Sequence, residues 1–387
     1  MNLQKVIIYS VLFLDIIGIS IIIPAFPELK LYYGINDFQV TMGLTVYSLC
    51  AFLAAPLLGQ LSDKFGRKKP LVLCILGTML SYLILLVTKQ YWVFLLSRVV
   101  NGITGWNISI MQAILTDISP DKESKSKNFG LMGAFFGLGF IVGPLVGSLL
   151  LRFGQVETIF WFGGIFALIE LVLIITHFSN TNVPDQVKKL TYNSFQIILK
   201  YLKKPELRNF LISLCLVGVG GFIINASISL YMLSKFGTTG EVSGYVFAFM
   251  GVLSAINLGF LAPKFWTKQF SNKQLIVFSH IVFIIWYCIL ANIQSSFPLF
   301  LLVFYASILL WGYYMVVYNI SIMSKAKPDE IGEISWMLGG IQSLMMFVGP
   351  LIGGVLLTTG FSIFYGAAVC IALSLAVMLR FIVKSEE

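Results

Sequence analysis

The chain has 387 residues, of which 58% are hydrophobic and only 11% charged, about half the charge of an average soluble domain. That balance excludes a soluble globular fold and a disordered one. The net charge of +9 does not argue for nucleic acid, because basic loops against anionic lipid account for it.

A bilayer-crossing helix needs roughly 20 mainly apolar residues, and twelve stretches qualify. The first covers 5–27. It follows Met-Asn-Leu-Gln-Lys directly and ends in Pro24-Ala25-Phe26-Pro27, not at a small-residue cleavage site, so it reads as a retained helix. Its one acidic residue is Asp15. The second stretch, 39–61, runs into GQLSDKFGRKKP at 59–70, a tight turn before the third stretch at 70–88. In that turn Gly59 allows close helix approach and Gly66 a conformation other residues resist. Asp63, Arg67, Lys68 and Lys69 sit at the membrane surface, able to exchange ion pairs.

The fourth stretch, 91–115, contains LLSRVVNGITG. Arg98, Gly102, Gly105, Ser109 and Gln112 recur on one helical face. An arginine inside a span faces a cavity or a partner, and helical rise puts Asp15 at a compatible depth. The fifth, 128–151, carries Gly130, Gly139, Gly143-Pro144 and Gly147, small residues that let backbones pack closely around a proline. The sixth, 157–178, holds Glu170, which reads either as part of proton coupling or as a structural, lipid-adjacent acid.

The longest polar gap, 179–208, follows. Within it Phe195, Ile198, Leu199 and Leu202 alternate with Lys200, Lys203 and Lys204, the pattern of a short helix lying on the membrane surface. The remaining stretches are 209–234, 241–263, 274–293, 297–323, 333–359 and 361–383. Their membrane core holds little charge. Asn225, Asn257, Asn319 and Gln342, with Tyr231, Trp311 and Tyr314, could line an amphiphilic surface suited to a lipophilic ligand, or could simply pack.

The gap separates two related halves. Val-Gly-Pro-Leu occurs at 142–145 and again at 348–351, and GQLSDKF at 59–65 matches GFLAPKF at 259–265. The organisation expected is therefore a six-helix bundle over 1–178, a linker over 179–208, and a second, pseudo-symmetric six-helix bundle over 209–387. With twelve spans and an internal N-terminus, every basic residue falls on the internal side except Lys30, Lys89, Arg98, Arg152 and Lys235. This predicts cytoplasmic N- and C-termini. The five cysteines all lie in spans without paired spacing, which indicates neither disulfides nor a metal site. His177 and His280 belong to no zincin or nucleophile motif, and there is no P-loop, so neither an enzyme nor ATP as energy source is expected.

The 59–70 turn after the second span resembles the signature of the major facilitator superfamily, and the glycine pattern of the fifth span resembles that of its drug–proton antiporters. Asp15 on the first span with Arg98 on the fourth brings the N-terminal half nearest to tetracycline-type exporters. The resemblance implies an all-α fold of twelve spans and alternating access driven by the proton gradient, with no cofactor. It also implies proton coupling at Asp15 with Arg98, and a cytoplasmic gate of Gly59, Asp63, Gly66, Arg67 and Lys68, with Asp117 as partner of Arg67; it places the helix of Glu170 on the periphery, so both readings of that acid stay open. The expected substrate is a lipophilic small molecule exported by a monomer in a bacterial cytoplasmic membrane. Ser81 stands where tetracycline exporters carry an acid, which argues against tetracycline itself. An importer of a small nutrient is the alternative, separable by direction of transport.

Overall fold

A computed structural model describes residues 3–105, 107–179, 194–293, 295–325 and 330–384. Among these residues there is no strand. The elements are α1 (Leu3–Ile21), α2 (Phe26–Tyr33), α3 (Asp37–Phe65), α4 (Lys68–Leu85), α5 (Tyr91–Thr104), α6 (Ile108–Asp117), α7 (Lys122–Phe153) and α8 (Val156–His177). After the linker come α9 (Ser194–Leu202), α10 (Pro205–Phe236) and α11 (Gly240–Ile256), which continues as a π-helical stretch (Asn257–Trp266) into α12 (Thr267–Gln269). The chain closes with α13 (Asn272–Asn292), α14 (Phe297–Met323), α15 (Ile331–Thr358) and α16 (Ile363–Lys384).

Among the described residues, eleven helical stretches are long and apolar enough to cross a membrane. The fourth predicted span accounts for the twelfth, but not as one rod. It is divided into α5 and α6, because the chain turns at Gly105, whose N–H bonds Asn101 O at 2.5 Å, and restarts on Asn107 O. The first predicted span is shorter than expected. Helix α1 stops at Ile21, and Phe26-Pro27-Glu28 opens the separate helix α2, with proline in its first turn and Gly34 (φ 61°) ending it.

Two compact units emerge. The first comprises Met1–Ile35, Val46–Thr191 and Thr239–Gly251, and the second Asn36–Thr45, Tyr192–Thr238 and Val252–Glu387. In the first, α1 packs on α7 and α8, and α4 on α5 and α8, around Leu12, Ile16, Leu71, Ile75, Met111 and Ile114. In the second, α10 packs on α15 and α16, and α13 on α14 and α16. An aromatic layer of Tyr231, Phe300, Phe304 and Phe364 fills that core, with Tyr231 edge-on to Phe364 at 5.2 Å.

The duplication read from the sequence has a packing counterpart. On α7, Gly143 sits against Ser20 of α1, and on α15, Gly353 sits against Ser227 of α10. In each case a Cβ on the glycine would enter the serine hydroxyl, so the helix carrying the Gly-Pro motif can touch its half's first helix only with glycine there. Helix α9 forms where its periodicity predicts. It packs on α15 with Ile198 and Tyr201 buried, and Lys204 beside it pairs with Glu330 at 2.6 Å. Residues 180–193 of the predicted linker lie outside the described residues.

Candidate functional site

Three charged side chains are buried in the spans of the first unit: Asp15 on α1 (3% exposed), Arg98 on α5 (5%) and Glu170 on α8 (2%). Their arrangement differs from the expected direct ion pair. Asp15 and Arg98 do not approach within 4 Å. The Asp15 carboxyl faces Asn107 at the start of α6 and lies in electrostatic reach of Glu170 and Cys74, and its Oδ2 has no hydrogen-bond partner. Arg98 instead donates from Nη2 to Ser97 Oγ at 3.0 Å, and its guanidinium lies 5.8 Å from the Phe94 ring. Tyr47 and Tyr82 both come within electrostatic reach of Asp15 and of Arg98.

The local sequence explains this placement. Tyr82 lies against Gly163 of α8 and donates its hydroxyl to Gly18 O of α1, wedging between the helices that carry Glu170 and Asp15. Gly163, Ala167 and Glu170 share one face of α8; Gly163 on it admits the Tyr82 ring of α4, and α8 packs on both α4 and α1. Glu170 is therefore an interior residue, not the lipid-adjacent acid of a peripheral helix. Ser81 lies in the same layer: its carbonyl accepts from Ser97 Oγ at 2.8 Å, one bond from Arg98.

The polar atoms here are poorly satisfied. Asp15 Oδ2, Glu170 Oε2, Arg98 Nε, Tyr47 OH, Asn101 Oδ1 and both side-chain polar atoms of Asn107 are buried without partners. Native interiors leave few such atoms unpaired, and here several gather around the buried charges of the first unit.

At the α3–α4 turn Gly66 adopts φ 80°, as its position in the motif requires. Arg67 is the centre of a cluster, donating from Nε to Asp117 Oδ2 at 2.9 Å and from Nη1 to Ser62 Oγ at 2.8 Å, with Asp63 as a further ion partner. Lys68 turns elsewhere. It donates to Ile175 O at 2.9 Å and Phe178 O at 2.6 Å, closing the carbonyl end of α8. Of the α7 glycines, Gly139, Gly143 and Gly147 meet Ile16, Ser20 and Ile21 of α1, while Gly130 meets nothing. The motif around Pro144 is thus the seam along which α7 rides on the helix bearing Asp15.

Ser109 and Asn225 are half-buried, and Gln112, Asn319 and Gln342 are exposed, with the Asn319 amide bonded to its own helix at Met315 O. Tyr231 belongs to the aromatic core and Trp311 packs 5.3 Å from Phe283. Asn257 accepts from Trp266 Nε1 at 3.0 Å across the π-helical stretch, leaving its Nδ2 buried and unpaired.

Tyr314 leads to a network the sequence does not reveal. Its hydroxyl lies 3.1 Å from His280, which donates from Nδ1 to Ile276 O at 2.7 Å and bonds Ser374 Oγ at 2.8 Å through Nε2. Ser374 and Tyr318 both meet Ser213 at 2.5 Å. Four spans, α10, α13, α14 and α16, are tied by one buried hub.

Among the described residues every element is helical, and the duplicated Gly-Pro helices with charges buried in the spans define a multi-pass membrane protein. The chain belongs to the Major Facilitator Superfamily, whose sequence model matches residues 8–350. It is 27% identical over 369 residues to the class B tetracycline resistance protein of Escherichia coli, covering 92% of this chain and 89% of that one. It is 28% identical over 372 residues to the quinolone resistance protein NorA of Staphylococcus aureus, covering 92% and 90%. The fold matches the nucleoside transporter NupG with a TM-score of 0.77 at 15% identity, over 100% of both chains. It also matches the human organic anion transporter MFSD10 with a TM-score of 0.67 at 19% identity, covering 97% of this chain and 99% of that one.

Proposed function

We propose that the protein is a proton-coupled antiporter that exports lipophilic drug-like molecules by alternating access. The observation that carries this reading is the set of buried, incompletely satisfied charges around Asp15, Glu170 and Arg98 in the first unit. An ionisable group inside a span is costly to retain and marks a proton or substrate path. The similarity to tetracycline and quinolone resistance proteins supports export and drug-like substrates.

In this reading Asp15 carries the proton. Its unpartnered Oδ2 is the acceptor atom, and Glu170, within its field, senses whether that proton is present. Arg98 acts through Tyr47 and Tyr82 and not through a salt bridge, biasing the local field as the proton comes and goes. The membrane proton gradient supplies the energy and no cofactor takes part. Arg67, Asp63 and Asp117 form an ion-pair cluster at the face carrying the termini, which is cytoplasmic by the distribution of basic loops. Breaking and remaking that cluster would gate the inner side. The protein works as a monomer among the lipids of a bacterial cytoplasmic membrane.

The test is transport direction. Cells expressing the protein and loaded with a lipophilic fluorescent cation should lose it faster than controls, and a proton uncoupler should abolish the difference. Uncoupler-sensitive accumulation of a nutrient, with no export of any lipophilic probe, would establish an importer instead.

A further inference from the structure

Helix α8, which carries Glu170, does not close its own carbonyl end. A helix leaves its last four carbonyls without partners inside it. Here the Phe178 N–H returns to Ile174 O at 3.3 Å, and three later carbonyls are taken by other helices. Lys68, the first residue of α4, donates from Nζ to Ile175 O at 2.9 Å and to Phe178 O at 2.6 Å. Gln4, in the first turn of α1, donates from Nε2 to His177 O at 3.2 Å, and its Oε1 accepts the Ser179 N–H at 3.3 Å. These partners lie 107 to 175 positions away in the sequence. The end of α8 is therefore a junction of three helices, not a locally capped terminus. Ile174 and Phe178 beside it are buried in the core of the first unit.

The junction fixes a register. Helix α1, with Asp15, leaves it and α8, with Glu170, arrives at it, so depth can be counted along both from one place. By helical rise Asp15 stands about 16 Å from the level of Gln4, and Glu170 about 10 Å from that of His177. The two carboxyls are thus about one turn apart in depth, which agrees with their mutual electrostatic reach. Helix α4 is tied to α1 as well, through the Tyr82 hydroxyl on Gly18 O, three residues beyond Asp15. Glu170, Ile174 and Phe178 follow one another at four-residue spacing, so the face bearing the carboxyl leads into the junction. A slide of α8 by one residue moves Glu170 by about 1.5 Å relative to Asp15. In a low-dielectric interior the interaction of two acids responds steeply to such a change.

We infer that Lys68 and Gln4 are positioning residues: together they set the register of α8 against α1, and with it the separation of Glu170 from Asp15. Their part in transport rests on the proton-coupling reading above; the register itself does not. Lys68 differs in this from its neighbour Arg67, which joins α3 to α6 through Asp63 and Asp117. Two adjacent residues of one turn thereby hold the ends of the helix that starts at Asn107 and of the helix that carries Glu170, the two groups near Asp15. Lysine suits its place, because donors on a flexible stem reach two carbonyls at once and its charge complements the negative end of α8.

The register can be followed without substrate. Spin labels at Val6 on α1 and Trp161 on α8, both exposed, would be placed in a full-length protein whose five cysteines are replaced, and their distance measured in lipid vesicles. Wild type should give one narrow distribution. Lys68→Met, which keeps the stem and loses the donors, should broaden and shift it, and Gln4→Leu should do so to a smaller extent. Lys68→Arg, which keeps a cation with several donors, should preserve the wild-type distribution. Unaltered distributions in both Lys68→Met and Gln4→Leu would overturn the inference. Should Lys68→Met fail to fold, Gln4→Leu decides. In cells, Lys68→Met should slow uncoupler-sensitive ethidium efflux about tenfold, but by less than about twofold in a Glu170→Gln background. Equal losses in the two backgrounds would show that Lys68 does not act through Glu170 and would overturn its positioning role. If wild type exports no ethidium, the coupling reading is what fails; in that case, or if Glu170→Gln alone abolishes export, the label distances decide the register by themselves.

Discussion

The contact between Gly143 and Ser20 sets the separation of α7 from the helix carrying Asp15, and its energetics can be worked out in advance. A Cβ on Gly143 would enter Ser20 Oγ and come within 3.1 Å of both Ser20 Cβ and Ile17 O. Overpacking of this kind costs about 2 kcal/mol. Ser20→Ala removes bonds from Oγ to Ile16 O at 2.7 Å and Gly139 O at 3.2 Å, worth about 1 kcal/mol within a membrane. It also clears the main obstacle, so the double variant should lose only about 1 to 1.5 kcal/mol, not the sum of about 3. Purified variants unfolded by denaturing detergent give the four free energies. Additivity within about 0.5 kcal/mol would refute the claimed contact. Since Gly139 meets Ile16, next to Asp15, Gly143→Ala should also slow transport, and Ser20→Ala should partly restore it.

Two further outcomes follow from the hubs. Arg67→Ala leaves Asp63 and Asp117 without their shared cation; both are only partly buried, so the stability cost should stay near 1 to 2 kcal/mol. Cysteine labelling from the terminus-bearing face should become faster, and Arg67→Lys, which lacks the planar fork, should rescue only in part. Unchanged labelling would remove this cluster from the gate. His280→Phe should destabilise the second unit by about 3 kcal/mol, because Ser374 and the Tyr314 hydroxyl are left buried without it. Thermal unfolding within 1 °C or so of wild type would show the network to be dispensable.

The spans were legible because a bilayer imposes a length and a composition that few other folds share. The Arg67–Asp117 contact was legible through the resemblance of the 59–70 turn to the superfamily signature, which implies that pairing. The partners of Asp15 were not. Helical rise gives the depth of a residue but not the direction its side chain faces, so Arg98 looks suitable as the neighbour of Asp15, Asn107 carries no signal, and Glu170 stays between a coupling role and a lipid-adjacent one. A signal for Glu170 did exist, in the small residues Gly163 and Ala167 on its face. The break between α5 and α6 was hidden because an apolar run reads the same whether or not its backbone is continuous. His280 draws its partners from residues up to 94 positions away, which no local pattern discloses. A first span running through Pro27 hides the separate helix α2, although Phe26-Pro27-Glu28 is itself a helix start, with proline in the first turn and an acid at the positive end.

Proton movement in proteoliposomes tests the account most directly. Purified protein would be reconstituted with a pH-sensitive dye inside, and an exported lipophilic substrate added to drive exchange. Wild-type vesicles should show a proton flux opposite to substrate flux, and Asp15→Asn should abolish that flux while still binding substrate. Full proton exchange in Asp15→Asn would place the carrier elsewhere and contradict the account.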